Sequence, residues 1–466
     1  MDVKRGSIVL FGSRVGISVV GFAATVYFAR TLGQAALGIY FTFEAVINVL
    51  GLLSRFGITT AVEKRISEAA TRNDEYLTGA LTLATLPLVV VICAAVLLSG
   101  QIDAYVGAAA TLALVAGLVS TNYSSVLLAA LRAEGRVAES ATLELAAEAV
   151  RVVVSFTLLF EGVGVSSLIY GFVAGMAMRA ILAGVVLNAG LDVPSRETFV
   201  SLASFSRYTI VSNVSGLAYS WLDTLLLSYL LTKSVVGVYE SAWKISVVAL
   251  MASTALGTAL FPAFSRWFSE GRVEYIEDAI TEALTFTLVL VVPATVGAFL
   301  LGGDIMRIVY HFSTGGAVLA VLVGEKLFQG TVEVLQRALL GIDEARSVFY
   351  INVSTLATNV VLNVALISSM GAIGAAVATM TCSFVGLGLT TWRLHPHLSI
   401  RPNWRALSWE VVAALVMGGA IVALDHIVQP ASLPTLLFVV AAGAGIYGGL
   451  VLLNADIRSS VRSLAS

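Results

Sequence analysis

The sequence predicts an all-α polytopic membrane protein of about fourteen transmembrane helices, arranged as two six-helix bundles in parallel repeat with two further helices at the C-terminus. Three observations carry that expectation. Hydrophobic residues make up 58% of the 466 residues and charged residues 12%, about half the roughly 25% charged share of an ordinary soluble domain. The apolar residues fall in continuous runs close to the ~20 residues that one helix needs to cross a bilayer core. A short motif also recurs: Leu32-Gly-Gln-Ala-Ala-Leu-Gly-Ile-Tyr40 returns 199 residues later as Leu231-Thr-Lys-Ser-Val-Val-Gly-Val-Tyr239, the mark of an internal duplication.

Taken in order, the first span, 7–30, has Arg14 inside it, sharing a face with Ser18 and Thr25 as a cavity-lining stripe would. No small-residue cleavage site follows a short apolar stretch, so this span reads as a helix that is kept. The second, 38–61, opens on Gly38-Ile-Tyr40 and holds Glu44 and Arg55; the third and fourth, 80–99 and 105–131, are free of charge. The fifth, 141–160, carries Glu144, Glu148 and Arg151, and the sixth, 165–188, carries Arg179. Asp223 lies in the seventh, 207–231, and Glu240 and Lys244 lie in the eighth, 236–263. The ninth, 283–301, is apolar, whereas the tenth, 317–340, holds Lys326 and bears Glu325, Gln329, Glu333 and Arg337 as a polar ridge. The eleventh, 348–369, is striped by Asn352, Thr355, Asn359 and Asn363 at helical spacing, which suits interhelical hydrogen bonding. The spans 372–392, 409–428 and 434–454 complete the set, with an interfacial belt accounting for most of Trp221, Trp392, Trp404 and Trp409.

Several classes fall away. Strand-built barrels alternate apolar and polar residues over about ten positions, unlike these longer continuous runs. A net charge of -2 leaves no basic footprint for nucleic acid. Cys93 and Cys382 lie in apolar runs, and with four histidines the chain offers no metal cluster or haem set; His395-Pro-His397 reads as a solvated turn. No cofactor is expected. Without a Walker-type loop, the energy for transport is expected from an ion gradient, the membrane potential or the substrate's own gradient. Seventeen of the twenty lysines and arginines outside the spans fall on one side, which the positive-inside rule places, with both termini, in the cytoplasm.

A second echo joins Glu134-Gly-Arg136 to Glu344-Ala-Arg346. The halves are therefore expected at 1–190 and 195–394, followed by the extra pair of helices and a cytoplasmic tail at 405–466. Six spans per half give both halves one orientation, and parallel repeats of this kind are expected to hold substrate at their interface near the midplane.

The spans of the two halves enclose seven cations, Arg14, Arg55, Arg151, Arg179, Lys244, Lys326 and Arg337, and seven acids, Glu44, Glu144, Glu148, Asp223, Glu240, Glu325 and Glu333. At roughly 2.5–3.5 kcal/mol each at a helix centre, such groups are tolerated where they meet one another or a wet cavity. Spacing of three or four predicts local pairs for Glu148–Arg151, Glu240–Lys244 and Glu333–Arg337. Arg14, Glu44, Asp223, Glu240 and Lys244 lie on spans equivalent under the repeat and are expected to line a central substrate cavity. Arg55, Arg151, Lys326 and Arg337 are expected as secondary cavity or structural charges. Glu44 and Asp223 double as candidate sites for a coupling cation, Na+ or H+. A guanidinium such as that of Arg14 suits phosphate because it binds bidentately, and its alternative is an ion pair with Glu44 or Asp223.

At Ala29-Arg-Thr-Leu-Gly33 followed by Gly38-Ile-Tyr40, the chain resembles polysaccharide (O-antigen, Wzx-type) flippases of the multidrug/oligosaccharidyl-lipid/polysaccharide (MOP) exporter superfamily. Leu131-Arg-Ala-Glu-Gly-Arg136 and Glu161-Gly-Val-Gly164 are similar to that family's fourth-to-sixth-helix segment. The resemblance implies a MOP-flippase-like fold and transfer of an undecaprenyl- or dolichyl-linked sugar, joined through phosphate or pyrophosphate, from the cytoplasmic to the outer leaflet of the cell membrane. It implies alternating access by a monomer and a first-helix arginine, here Arg14, at the headgroup. A low lysine share hints at a high-GC or halophilic source, and an archaeal one would favour dolichyl carriers. Two alternatives stand beside this reading. One is a cation-coupled drug antiporter of the same superfamily. The other is a membrane glycosyltransferase or polymerase, which the short outer connections holding Asp103, Glu161 and Asp304 disfavour because they bring no paired carboxylates.

Overall fold

The computed structural model describes residues 3–68, 72–188, 190, 192–454 and 457–458; for residues 3–11, 14–15, 208–220, 252, 255 and 259 it describes the backbone alone. The described residues form sixteen helices and no strand; the expected spans lie mostly in helix, with breaks at 56–57, at Leu98, at 107–110 and at 249–250.

The first two spans are two helices, together labelled α1 (Val3–Arg55), that meet at a kink at Gly33 with φ 82 and ψ 174. That backbone conformation excludes a side chain, so glycine concentrates in one residue the turn that the sequence spread over 32–40. A second break at Phe56 and Gly57, both with positive φ, starts α2 (Ile58–Glu68), which carries the second span beyond its expected end. α2 buries Ile58, Ala61, Val62 and Ile66, the one-sided spacing of an amphipathic helix. Next come α3 (Asn73–Leu97), the short α4 (Ser99–Val106), α5 (Thr111–Ala133), α6 (Val137–Phe160), α7 (Ser166–Leu187) and α8 (Arg196–Leu230). The eighth span is split into α9 (Lys233–Val248) and α10 (Met251–Ser269). The remainder is α11 (Val273–Tyr310), α12 (Gly316–Gly341), α13 (Ala345–Met370), α14 (Ala372–Leu394), α15 (Trp404–Val428) and α16 (Leu433–Leu453).

Among the described residues nine helices are long and apolar enough to cross a bilayer, which makes this a multi-pass membrane protein. α6 and α12 fall short of that standard because Glu144, Glu148 and Arg151 interrupt one and Glu325, Lys326, Glu333 and Arg337 the other. These interruptions are where the candidate site lies.

The chain divides into two compact units, Met1–Gly237 and Val238–Ser466, with the division inside α9. The first is cored by α2, α3, α5 and α7 through residues such as Val62, Ala80, Leu128, Leu131 and Ala183, with Leu202 of α8 joining them. In the second, α11 and α12 pack through Ile280, Ala283, Leu335 and Leu339. There α15 and α16 close on α11 through Ala413, Met417, Val439 and Tyr447.

Polar clamps fix helix ends of the first unit. Glu75 receives the Arg72 Nε at 2.7 Å, the Thr198 hydroxyl at 2.5 Å and the Ser195 amide at 2.9 Å, tying α3 to the start of α8. Hydrogen bonds from Arg72, then Thr198 and Ser195, hold its carboxyl far below the usual carboxylate range. Asp103 accepts from the amides of Ala110 and Thr111, each at 2.9 Å, and from the Thr111 hydroxyl at 2.7 Å. Partial burial pushes that carboxyl up, but these three donors outweigh it and hold it below its ordinary value.

Candidate functional site

In the first unit the expected Glu148–Arg151 pair forms on α6, one turn apart and mostly buried. Arg151 grips both carboxylate oxygens, Nε to Oε2 at 2.8 Å and Nη2 to Oε1, and its Nη1 donates to the Tyr40 hydroxyl of α1 at 2.8 Å. The pair seats against Gly21 of α1, where a Cβ would lie 2.9 Å from Glu148 Oε1. Arg151 and Tyr40 border a small open pocket of about 10 Å³ together with Thr25, Phe28 and Ser155, room for about one water molecule. Glu44, one turn beyond Tyr40, acts electrostatically on both Tyr40 and Arg151. Its Oε2 is buried and makes no hydrogen bond among the described residues. Two carboxyl groups thus act on one guanidinium.

Two further arginines of this unit are arranged in the opposite sense. The Arg55 guanidinium folds back over Gly51, its Nη1 lying 3.1 Å from where a Cβ there would stand. It is close enough to Arg179 of α7 for the two to repel. Arg179 donates from Nε and Nη2 to the Ser124 hydroxyl at 3.2 and 3.0 Å, and it also senses Glu144 and Arg132. Glu144 in turn lies 3.6 Å from Arg132. Arg55 has no ion pair within the described residues, and its Nη1 is buried without a hydrogen-bond partner. On α5 between them, Asn122 donates to Ser54 at 2.9 Å while its Oδ1 is left unpartnered.

The two repeat motifs meet each other. A Cβ on Gly38 would lie on the Lys233 carbonyl oxygen, and one on Gly237 would lie on the Gln34 carbonyl oxygen; each would also stand about 3 Å from the other glycine's amide nitrogen. Lys233, expected in an outer turn, is half-buried beside this crossing. Its ammonium donates to the Ser228 hydroxyl and the Tyr105 carbonyl, and to the Thr42 hydroxyl at 3.4 Å. Thr42 and Ser228 share a further bond of 3.0 Å.

In the second unit Lys326 and Glu325 of α12 are fully buried, Nζ to Oε2 at 2.6 Å. Lys326 donates to Gln329 at 2.7 Å and lies 3.9 Å above the Trp243 ring, while Ser383 donates to Glu325 at 2.5 Å. Tyr239 stacks on Trp243, so each Gly-x-Tyr tyrosine serves a buried cation of its own unit, Tyr40 directly and Tyr239 through Trp243. The expected Glu333–Arg337 pair does not form. Glu333 instead accepts from Thr254 of α10 at 3.0 Å, where the close approach of α10 offers a nearer donor. Asp223 on α8 and Glu240 on α9 are buried and Lys244 is half-buried. The Arg14 side chain lies outside the described residues.

Tyr40, Trp243, Ser383 and Glu410 are site or buried polar residues that charge spacing did not single out. Glu410 lies one residue inside the thirteenth span. Among the described residues no group of three or more His, Cys, Asp or Glu is placed to hold a metal ion. His397 faces Glu344 at 3.5 Å.

A family model described as polysaccharide biosynthesis protein matches residues 3–268, and a second, MatE, matches residues 209–365. The chain is 31% identical to the probable low-salt glycan biosynthesis flippase Agl15 of Haloferax volcanii, over 99% of this chain and 98% of that one. It is also 31% identical to the probable flippase AglR of the same organism, over 100% and 98%. In fold it is similar to a solved lipid II flippase MurJ in an inward closed conformation, with TM-score 0.77 and 15% identity over 96% of this chain and 98% of that one. It is similar too to an inward-facing multidrug resistance MATE family transporter of the MOP superfamily, with TM-score 0.60 and 16% identity over 82% and 95%.

Proposed function

The chain belongs to the polysaccharide biosynthesis protein family within the MOP superfamily, and from that premise we propose that it is a flippase for a lipid-linked sugar. Its substrate is a sugar or oligosaccharide on an undecaprenyl or dolichyl carrier, joined through phosphate or pyrophosphate. The protein moves it from the cytoplasmic to the outer leaflet of the cell membrane by alternating access, as a monomer with both termini in the cytoplasm, and it does no covalent chemistry. Residues 1–190 and 195–394 act as the two moving bundles, with 405–466 as an appended pair.

The observation that supports this reading is the Arg55–Arg179 pair. Two like charges drawn together in a membrane-buried bundle, one with an orphaned N–H, repel until an anion joins them. A phosphate oxygen supplies the acceptor that the Arg55 Nη1 lacks, and arginine binds phosphate through paired N–H donors. Arg151 and Lys326 are already satisfied by carboxylates and serve as structural charges, as does Arg337. Arg14, Glu44 and Asp223 of the first unit, and Glu240 and Lys244 of the second, are further candidate headgroup contacts. Glu44, with its spare oxygen, is the stronger candidate for a coupling H+ or Na+, and Asp223 is the other.

The test is reconstitution in liposomes carrying a polyprenyl-phosphate-linked sugar, with a glycan probe confined to the outside. Wild-type protein should expose inner-leaflet glycan, and Arg55→Gln with Arg179→Gln should slow this at least about tenfold, the loss of ~1.4 kcal/mol. Absence of flipping by wild-type protein across several carriers would refute the reading. The MatE match keeps a second reading, cation-driven efflux of a small molecule, and dye efflux driven by an imposed Na+ or H+ gradient would favour it.

A further inference from the structure

The appended helix pair holds an acid that no described residue pairs. Glu410 sits six residues from the start of α15, about 9 Å along the helix axis, and is 0% exposed. Neither of its carboxyl oxygens makes a hydrogen bond among the described residues. The hydroxyl of Tyr447 on α16, within electrostatic reach of Glu410, is buried and unpartnered as well. Ala406, Ala413, Ala414, Val439 and Val451 build an apolar shell in this part of the unit.

The helices packed here bring no countercharge. α11 contributes Val289, Val292 and Val296 and has no titratable residue from Ala283 to Gly303. Tyr447 is the sole titratable residue of α16. Arg405 on α15 and Arg458 beyond α16 are exposed, and Asp425 and His426 stand at the far end of α15. A carboxylate without a counter-ion or a donor is strongly disfavoured in apolar surroundings, and such a group takes up a proton instead. Hard metal cations gather about six oxygen ligands, whereas here the side chains offer three.

We propose that Glu410 is a proton-binding site of the appended helix pair, protonated in this conformation and able to release its proton when the contact of α15 with α16 opens to water. The proposal stands apart from the transport reading, since it concerns neither the arginine pair nor Glu44, and its test needs no substrate.

The test is labelling of the purified full-length protein with dicyclohexylcarbodiimide, an apolar reagent that adds across a protonated carboxyl without a leaving group. Peptide mass spectrometry then locates the adduct. Glu410 should be labelled at neutral pH, and the yield should fall with a limiting slope of about tenfold per pH unit once the acid ionises. Excess sodium should leave the neutral-pH yield unchanged. Protection by sodium would overturn the assignment in favour of a metal cation, and an unlabelled Glu410 in folded protein at neutral pH would overturn it outright. Glu410→Gln supplies an independent check, because an amide matches a neutral acid in size and charge. Its thermal midpoint should equal that of the wild type, and a clear drop would mean that the native group is the charged carboxylate.

Discussion

Replacing Arg151 by methionine removes the charge of the α6 pair while keeping a long, helix-compatible side chain. In the native unit Arg151 makes two bonds to Glu148 and one to Tyr40. Arg151→Met would strand Glu148, which is 9% exposed, and leave the hydroxyl of Tyr40, 4% exposed, without its donor. Removing one partner of a buried ion pair costs about 3–5 kcal/mol. The double variant Glu148→Gln/Arg151→Met no longer strands Glu148; the loss of Arg151 beside Glu44 is common to both variants, and the Tyr40 bond adds about 1–3 kcal/mol. The double variant should therefore be the more stable by roughly 2 kcal/mol. At ~2–4 °C per kcal/mol for a unit of this size, its thermal midpoint in detergent should lie about 4–8 °C above that of the single variant. A single variant that melts with or above the double one would refute the reasoning, since Glu148 would then not depend on Arg151.

Three further outcomes follow from the packing and the clamps. Gly38→Ala places a methyl group against the Lys233 carbonyl and should destabilise by about 1–3 kcal/mol, whereas Gly445→Ala, which meets nothing within 4 Å, should be neutral or stabilising; paired thermal midpoints decide. Asp103→Ala deprives the start of α5 of its acceptor and should cost about 0.5–2 kcal/mol, read as faster hydrogen exchange at Ala110 and Thr111. Because the carboxyl of Glu75 is held below its usual range, its contribution is fully present above about pH 4.5 and is lost as the pH falls through the depressed folded value. Exchange at Ser195 should thus stay slow from neutral pH down to the ordinary carboxyl range and rise only in stronger acid, and a rise already at pH 6 would contradict the clamp.

The helices were legible because a bilayer imposes a length and an apolar composition that continuous runs reveal directly. Gly33 was visible as the turn residue, but its sharpness was not, since one positive-φ residue and a loose turn carry the same sequence signal. Within the site, legibility followed locality. Glu148 and Arg151 sit one turn apart and pair as their spacing predicts. Glu333 and Arg337 have equally good spacing, yet Thr254 of another helix takes the carboxylate. Lys326 finds Glu325, its immediate neighbour, because full burial leaves it no water to turn to. The repulsion of Arg55 by Arg179 and the isolation of Glu410 depend on which helices pack together, and a linear charge count contains no term for that.

The two motifs read at an offset of 199 residues meet in the reciprocal contact of Gly38 and Gly237, each facing the carbonyl four residues before the other. Such reciprocity requires both segments to keep their glycines, because a Cβ on either side meets backbone, which cannot rotate away. The tyrosines two residues later are under no such constraint, and there the copies diverge. Tyr40 accepts a hydrogen bond from an arginine at the edge of an open pocket, while Tyr239 supports a tryptophan over a lysine that is sealed from solvent. A cation at a pocket edge can exchange its partners, whereas a sealed ion pair is held in one arrangement by the cost of exposing either charge alone. The two motifs thus share the crossing of their backbones while the charges behind them differ: a partly exposed arginine in the first unit and a sealed ion pair in the second.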